Sequence, residues 1–136
     1  MTDYTNAKEV KTESVTGISI TTFQTRGRAP LVKWEYPEFQ CLCPVSGRHD
    51  QGNVIIEYLP DKKILESKSV REYLSAWRNK KTWQEYAVDE IADTLFKACK
   101  AKWLIVEIDW ASRGGIYSTI TSKRGDFGDL NCSNHD

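Results

Sequence analysis

The chain has 136 residues, 40% of them hydrophobic, which suits one domain with a modest core. Nineteen Lys and Arg balance nineteen Asp and Glu, so no global positive field draws it to nucleic acid or anionic membrane, and a small-molecule partner is expected. No run approaches the ~20 apolar residues that span a bilayer, Met1 to Asn6 lacks the start of a signal peptide, and four cysteines then point to reduced thiols in a soluble, cytoplasmic protein.

Residues 1–15 are polar and aperiodic, as are 125–136, so mobile ends are expected around one domain over 16–124. Trp34 to Tyr36 and Val54 to Leu59 are β-rich runs flanking a cysteine-bearing segment, and Pro60-Asp61 breaks the second of them. Ser69-Val70-Arg71-Glu72 has the form of a capping box, and Val70, Tyr73, Leu74 and Trp77 follow at helical spacing. Thr82-Trp83-Gln84-Glu85 repeats the cap form before an apolar stripe of Val88, Ile91, Ala92, Leu95 and Cys99, which predicts a second helix ending near Lys102. Trp103 to Trp110 and Ile116 to Thr121 read as strands joined by a hairpin whose Gly114 and Gly115 suit positive φ. The predicted order is ββααββ: an α+β fold with a four-stranded antiparallel sheet and two helices on one face. Such a sheet leaves open edges to be managed.

Chemistry concentrates between Cys43 and Glu85. Cys43-Pro44-Val45-Ser46-Gly47-Arg48-His49-Asp50 offers a thiol and, seven residues on, a carboxyl. A lone cysteine is most often a small buried hydrophobe, and an aspartate in Arg48-His49-Asp50-Gln51-Gly52 is ordinarily a turn residue; it is the string that is specific. Cys41 shares a strand face with Cys43, where it can oxidise with it or pack, and packing is the expected reason for it. With His49 and His135 the only histidines, and no second cysteine pair in Cys99 and Cys132, four well-spaced zinc ligands are lacking and no metal site is expected. Glu66-Ser67-Lys68-Ser69 places a compact cation beside a helix start, and Arg71 and Arg113 add charge near turns, where such residues are usually solvated. Glu85 is explained on sequence alone as the last residue of its capping box.

Together the Cys-Pro-x-Ser-Gly-x-x-Asp string, Glu-Ser-Lys-Ser and Trp83-Gln84-Glu85 resemble the QueF family, NADPH-dependent reductases that convert the nitrile of 7-cyano-7-deazaguanine (preQ0) to an aminomethyl group in queuosine synthesis. The resemblance runs from about Phe39 to Thr121, in the manner of single-module members. It implies a tunnelling (T-) fold, with protomers joined edge to edge as a homo-oligomer and active sites between subunits. It implies Cys43 as nucleophile forming a thioimidate and Asp50 as general acid and base. It further implies Leu65, Glu66, Ser67, Trp83, Gln84 and Glu85 as substrate-binding residues, with Glu85 on the guanine-like edge, and Lys68, Arg71 and Arg113 as contacts for the phosphates of NADPH. Arg71 stands where the family usually has a second lysine, Glu72 where it has leucine or tyrosine, and Gln84 where it has histidine. Glutamine hydrogen-bonds but carries no proton at neutral pH, which leaves proton transfer to Asp50. Two other functions share the fold: an amidinotransferase that adds ammonia to the same nitrile in tRNA, and a non-catalytic purine- or pterin-binding scaffold. The retained Glu-Ser-Lys-Ser and the neutral charge favour the reductase.

Overall fold

The computed structural model describes residues 9–12 and 16–128; the remaining parts of the ends expected to be mobile lie outside the described residues. Among the described residues, seven strands and two helices follow in the order β1 (Glu9–Thr12), β2 (Ile20–Gln24), β3 (Val32–Leu42), β4 (His49–Leu59), β5 (Lys63–Leu65), α1 (Ser67–Ser75), α2 (Gln84–Cys99), β6 (Trp103–Arg113) and β7 (Ile116–Gly125). The antiparallel sheet β3-β4-β6-β7 is the predicted four-stranded one. Beside it lies a small antiparallel sheet, β1-β2-β5, which the sequence pattern did not announce. Its strands are short, and Glu9–Thr12 falls within the stretch read as aperiodic.

Val54, Ile56 and Tyr58 of β4 and Leu104, Val106, Ile108 and Trp110 of β6 alternate inward under α1 and α2. The predicted helical stripes are the buried ones: Val70, Tyr73, Leu74 and Trp77 from α1 and its extension, and Val88, Ile91, Ala92, Leu95 and Cys99 from α2. Each large apolar side chain so buried contributes about 1.5–3 kcal/mol. α2 ends at Cys99 rather than Lys102 because Lys100 turns left-handed at φ 49° and closes the helix with a bond to the Phe96 carbonyl. Among the described residues, no helix is long and apolar enough to cross a membrane.

Neither capping box forms as predicted. Glu66, not Ser69, caps α1: its carboxylate accepts from the backbone N–H of Lys68 at 2.6 Å and Ser69 at 2.9 Å. Ser69 sits inside the first turn, donating to the Glu66 carbonyl and accepting from the Thr21 N–H, which ties α1 to β2. At α2 the cap position is Trp83, which has no suitable side chain, and Thr82 donates to the Trp83 carbonyl.

Gly52 marks the tightest strand approach in the main sheet. A Cβ there would lie 2.6 Å from Ile108 Cγ2 and 3.2 Å from the Asp109 carbonyl oxygen. Gly52→Ala should therefore lower stability by about 1–3 kcal/mol, the usual cost of overpacking. Urea denaturation checks this, and an unchanged midpoint would mean that β4 and β6 separate at little cost.

Candidate active site

Cys43 follows directly on β3, at the start of a tight loop. Its N–H donates to the Arg48 carbonyl at 2.8 Å, its carbonyl accepts from the Gly47 N–H at 2.9 Å, and Gly47 takes φ +72°, a conformation that favours glycine. The loop turns the N–H groups of Ser46 and Val45 and the Ser46 hydroxyl toward the Cys43 sulfur. These hydrogen bonds, with a smaller contribution from the Arg113 charge, lower the thiol from its ordinary value to about 7. Cys41 is its opposite: burial first, then the charges of Asp50 and Cys43, push it up to about 12.

Two bulges bring the site to one face. Along β3, Tyr36 pairs with Val54 but Phe39 pairs with Gly52, so β3 carries one extra residue at Pro37-Glu38. The inward phase shifts from Trp34 and Tyr36 to Phe39 and Cys41, and Cys43 continues that row. On β4 the buried positions are Asp50, Gly52, Val54, Ile56 and Tyr58, which places Asp50 opposite Cys41 at the same end of the sheet. Asp50 is thus not a turn residue but a strand carboxyl only 5% exposed. In β6, Trp110 pairs with Ser118 but Arg113 with Ile116, a second extra residue. Trp110 faces inward, so an unbroken pleat would turn Arg113 away; the bulge reverses it.

Arg113 consequently reaches Asp50, with Nη1 2.5 Å from Oδ1, while its Nη2 donates to Ser46 Oγ at 2.7 Å. The Asp50 contact, then its charge and that of Cys43, raise the Arg113 pKa further above its ordinary value. The structure therefore groups Arg113 with Cys43 and Asp50, not with Lys68 and Arg71. Ser46 was not singled out in the sequence, although Cys-Pro-x-Ser, with a hydroxyl three residues after a thiol in a turn, was the available signal.

The start of α2 is held beside this cluster. Leu42 donates to the Lys80 carbonyl at 2.9 Å and accepts from the Thr82 N–H at 3.0 Å, so the segment entering Trp83-Gln84-Glu85 runs along the residue preceding Cys43. Trp83 is 48% exposed, Gln84 is partly exposed and Glu85 is exposed. Because the predicted capping box is not made, the Glu85 carboxylate has no structural role in the cap, contrary to the sequence reading. Its position in the first turn also suits an anion.

Glu66, Ser67, Lys68 and Arg71 lie elsewhere. Ser67, Lys68 and Arg71 line a cavity of about 400 Å³ with Lys33, Trp34, Glu35, Tyr36 and Ile56. Trp34 lies nine residues before Cys43, roughly 30 Å along an extended strand at about 3.3 Å per residue. Glu66 and Lys68 also border a second cavity with Gly17 to Thr21. The Glu66 carboxylate is occupied as the helix cap, which also takes up amides at the α1 start that an anion would otherwise use. Leu65 has its side chain in the core, with its N–H donating to the Tyr58 hydroxyl at 2.9 Å. Lys33, Lys68 and Arg71 thus bring three cations to a cavity also lined by the Trp34 and Tyr36 rings.

A family model described as "QueF-like protein" matches residues 49–128, a span that includes Asp50 and begins six residues after Cys43. A protein of Anaeromyxobacter sp. (strain K) named NADPH-dependent 7-cyano-7-deazaguanine reductase is 36% identical over 100 residues, covering 74% of this chain and 82% of the relative. One of the same name from Zymomonas mobilis is 41% identical over 91 residues, covering 67% of this chain and 62% of the relative. A crystal structure of archaeosine synthase QueF-Like in the apo form superposes with a TM-score of 0.65 over 76% of this chain and 100% of its own, at 15% identity, which speaks to the fold alone. With its two helices on one face of a four-stranded antiparallel sheet and these relatives in sequence, the chain belongs to the family of QueF-like proteins.

Proposed function

We propose that this protein is an NADPH-dependent reductase of 7-cyano-7-deazaguanine acting through a covalent Cys43 thioimidate. The observation that carries the reading is that, at one end of the sheet, Arg113 ties the buried Asp50 carboxyl to Ser46 on the Cys43 loop. A thiolate is the side chain suited to a nitrile carbon. As sulfur bonds to carbon, a π pair of the triple bond moves to nitrogen, and Asp50 delivers the proton that nitrogen takes. NADPH supplies the hydride equivalents, two for each nitrile reduced to an amine. The Glu85 carboxylate accepts from the adjacent N–H groups of the deazaguanine edge, Gln84 adds an amide and Trp83 a flat apolar surface. Lys68 and Arg71, together with Lys33, hold the cofactor phosphates.

The cation cavity and Cys43 lie at opposite ends of β3, too far apart to meet one small substrate within a single chain. This favours sites completed by a second copy, with the Cys43 end of one protomer facing the α1 end of its partner. Purified protein given 7-cyano-7-deazaguanine and NADPH should oxidise NADPH and yield the aminomethyl product. Ammonia-dependent conversion of nitrile-bearing tRNA without NADPH oxidation would replace this reading.

Lys68→Ala should raise the KM for NADPH roughly tenfold while leaving that for the nitrile nearly unchanged, the loss expected for one charge-assisted contact at an exposed position. Steady-state kinetics with each substrate varied in turn checks it. An equal rise in both constants would place Lys68 outside the cofactor site.

A further inference from the structure

We propose that Arg113 is a positioning residue that locks Asp50 to the Cys43 loop, and so governs addition of the thiol to the nitrile before any cofactor contact matters. This rests on the reading of Cys43 and Asp50 given above, and gives Arg113 a role different from that of a phosphate ligand. One guanidinium arm is 2.5 Å from a carboxylate on β4 and the other 2.7 Å from a hydroxyl on the Cys43 loop. The Ser46 N–H and hydroxyl favour the thiolate of Cys43, as does the Arg113 charge. Four residues from three places in the chain therefore form one chain of contacts: Asp50, Arg113, Ser46, Cys43. The fork of arginine is suited to this because two acceptors are held at once in a fixed relation. The bulge in β6 exists at the position needed to turn Arg113 inward, and bulges near reactive sites commonly re-aim a side chain in this way.

The contact has a chemical consequence. Arg113 holds Asp50 to the Cys43 loop, where a carboxyl oxygen can take the thiol proton and then return it. Addition then balances within the pair. The Cys43 S–H bond breaks and its proton passes to Asp50; the S–C bond forms as the nitrile π pair moves to nitrogen; Asp50 returns the proton to that nitrogen. The net change is addition of S–H across C≡N, with no oxidant or reductant. The charged and titratable groups near the thiol include Asp50 from β4, Arg113 from β6 and Cys41 from β3; Arg48 and His49 at the far side of the loop and Lys81 beside Leu42 are exposed.

The test uses the full chain as wild type, R113Q and R113K. Iodoacetamide labelling of Cys43 against pH needs neither substrate nor cofactor, and intact-mass measurement of the nitrile adduct needs no NADPH. R113Q should move the labelling midpoint upward, as expected when a neighbouring cation is removed. It should also slow adduct formation roughly tenfold through lost alignment. R113K keeps the charge but not the fork, so its labelling midpoint should stay near wild type while adduct formation slows severalfold. Wild-type adduct rates in R113K overturn the proposal even where R113Q fails to fold. So does an R113Q protein with unchanged midpoint and adduct rate but a raised KM for NADPH, which would make Arg113 a cofactor contact. If wild type forms no nitrile adduct while the R113Q midpoint still moves, the proposed substrate is wrong and the positioning role stands.

Discussion

Cys43→Ala should abolish both turnover and covalent capture of 7-cyano-7-deazaguanine, whereas Cys41→Ala should keep both. Removing a nucleophile forfeits the route through the covalent intermediate, a loss on the order of 10⁴-fold or more. Intact-mass spectrometry without NADPH reads it directly: wild type and Cys41→Ala gain the mass of the nitrile, and Cys43→Ala does not. The two thiols also differ in pH behaviour. With its thiol at about 7, Cys43 is largely protonated and slow to alkylate below that pH, and becomes a thiolate as pH rises through it. Cys41, at about 12, stays protonated and buried over the whole range. A labelling midpoint near pH 9 would show that the Ser46 and Val45 hydrogen bonds do not reach the sulfur. An adduct that persists in Cys43→Ala would assign the nucleophile elsewhere.

Asp50→Asn should slow turnover by about 10²–10⁴-fold, the range ordinarily supplied by a positioned acid or base, while binding of the heterocycle stays nearly intact. The substitution keeps the shape of the side chain, and its Oδ1 can still accept from Arg113, so the fold should survive; Arg113 is itself partly exposed and can be hydrated. What is lost is the capacity to take and return a proton. With glutamine at position 84, no histidine beside Glu85 substitutes for it. Single-turnover measurement separates the steps: slow adduct formation places the role of Asp50 in addition, and normal adduct formation followed by slow reduction places it later. Turnover equal to wild type would return Asp50 to a structural partner of Arg113.

The helices were legible because their apolar residues recur at the helical period over several turns: Val70 to Trp77 and Val88 to Cys99 are buried as the spacing required. The four strands of the main sheet were legible through their β-branched and aromatic runs, and the β6–β7 turn through Gly114 and Gly115, both at positive φ. The small sheet was not, since strands such as Lys63–Leu65 are too short to show a period and are held by their partners. The caps misled for a related reason. A Ser/Thr-x-x-Glu string states which residues could cap a helix, but where the helix starts depends on the packing of its apolar face, and that chose Glu66 and Trp83.

The sequence by itself determined the order of the main-sheet strands and the two helices, the buried stripes of those helices and, through the spacing of Cys43, Asp50 and the motifs after them, the family. Tertiary structure alone decided which charges meet. Arg113 and Asp50 are 63 residues apart, and the pleat lets only one parity of residues face inward. A single extra residue in β3 and another in β6 reverse that parity, so Cys43 joins the inward row and Arg113 turns toward Asp50 rather than toward solvent. A bulge depends on how two strands pair, and pairing between distant segments is not written in either segment alone.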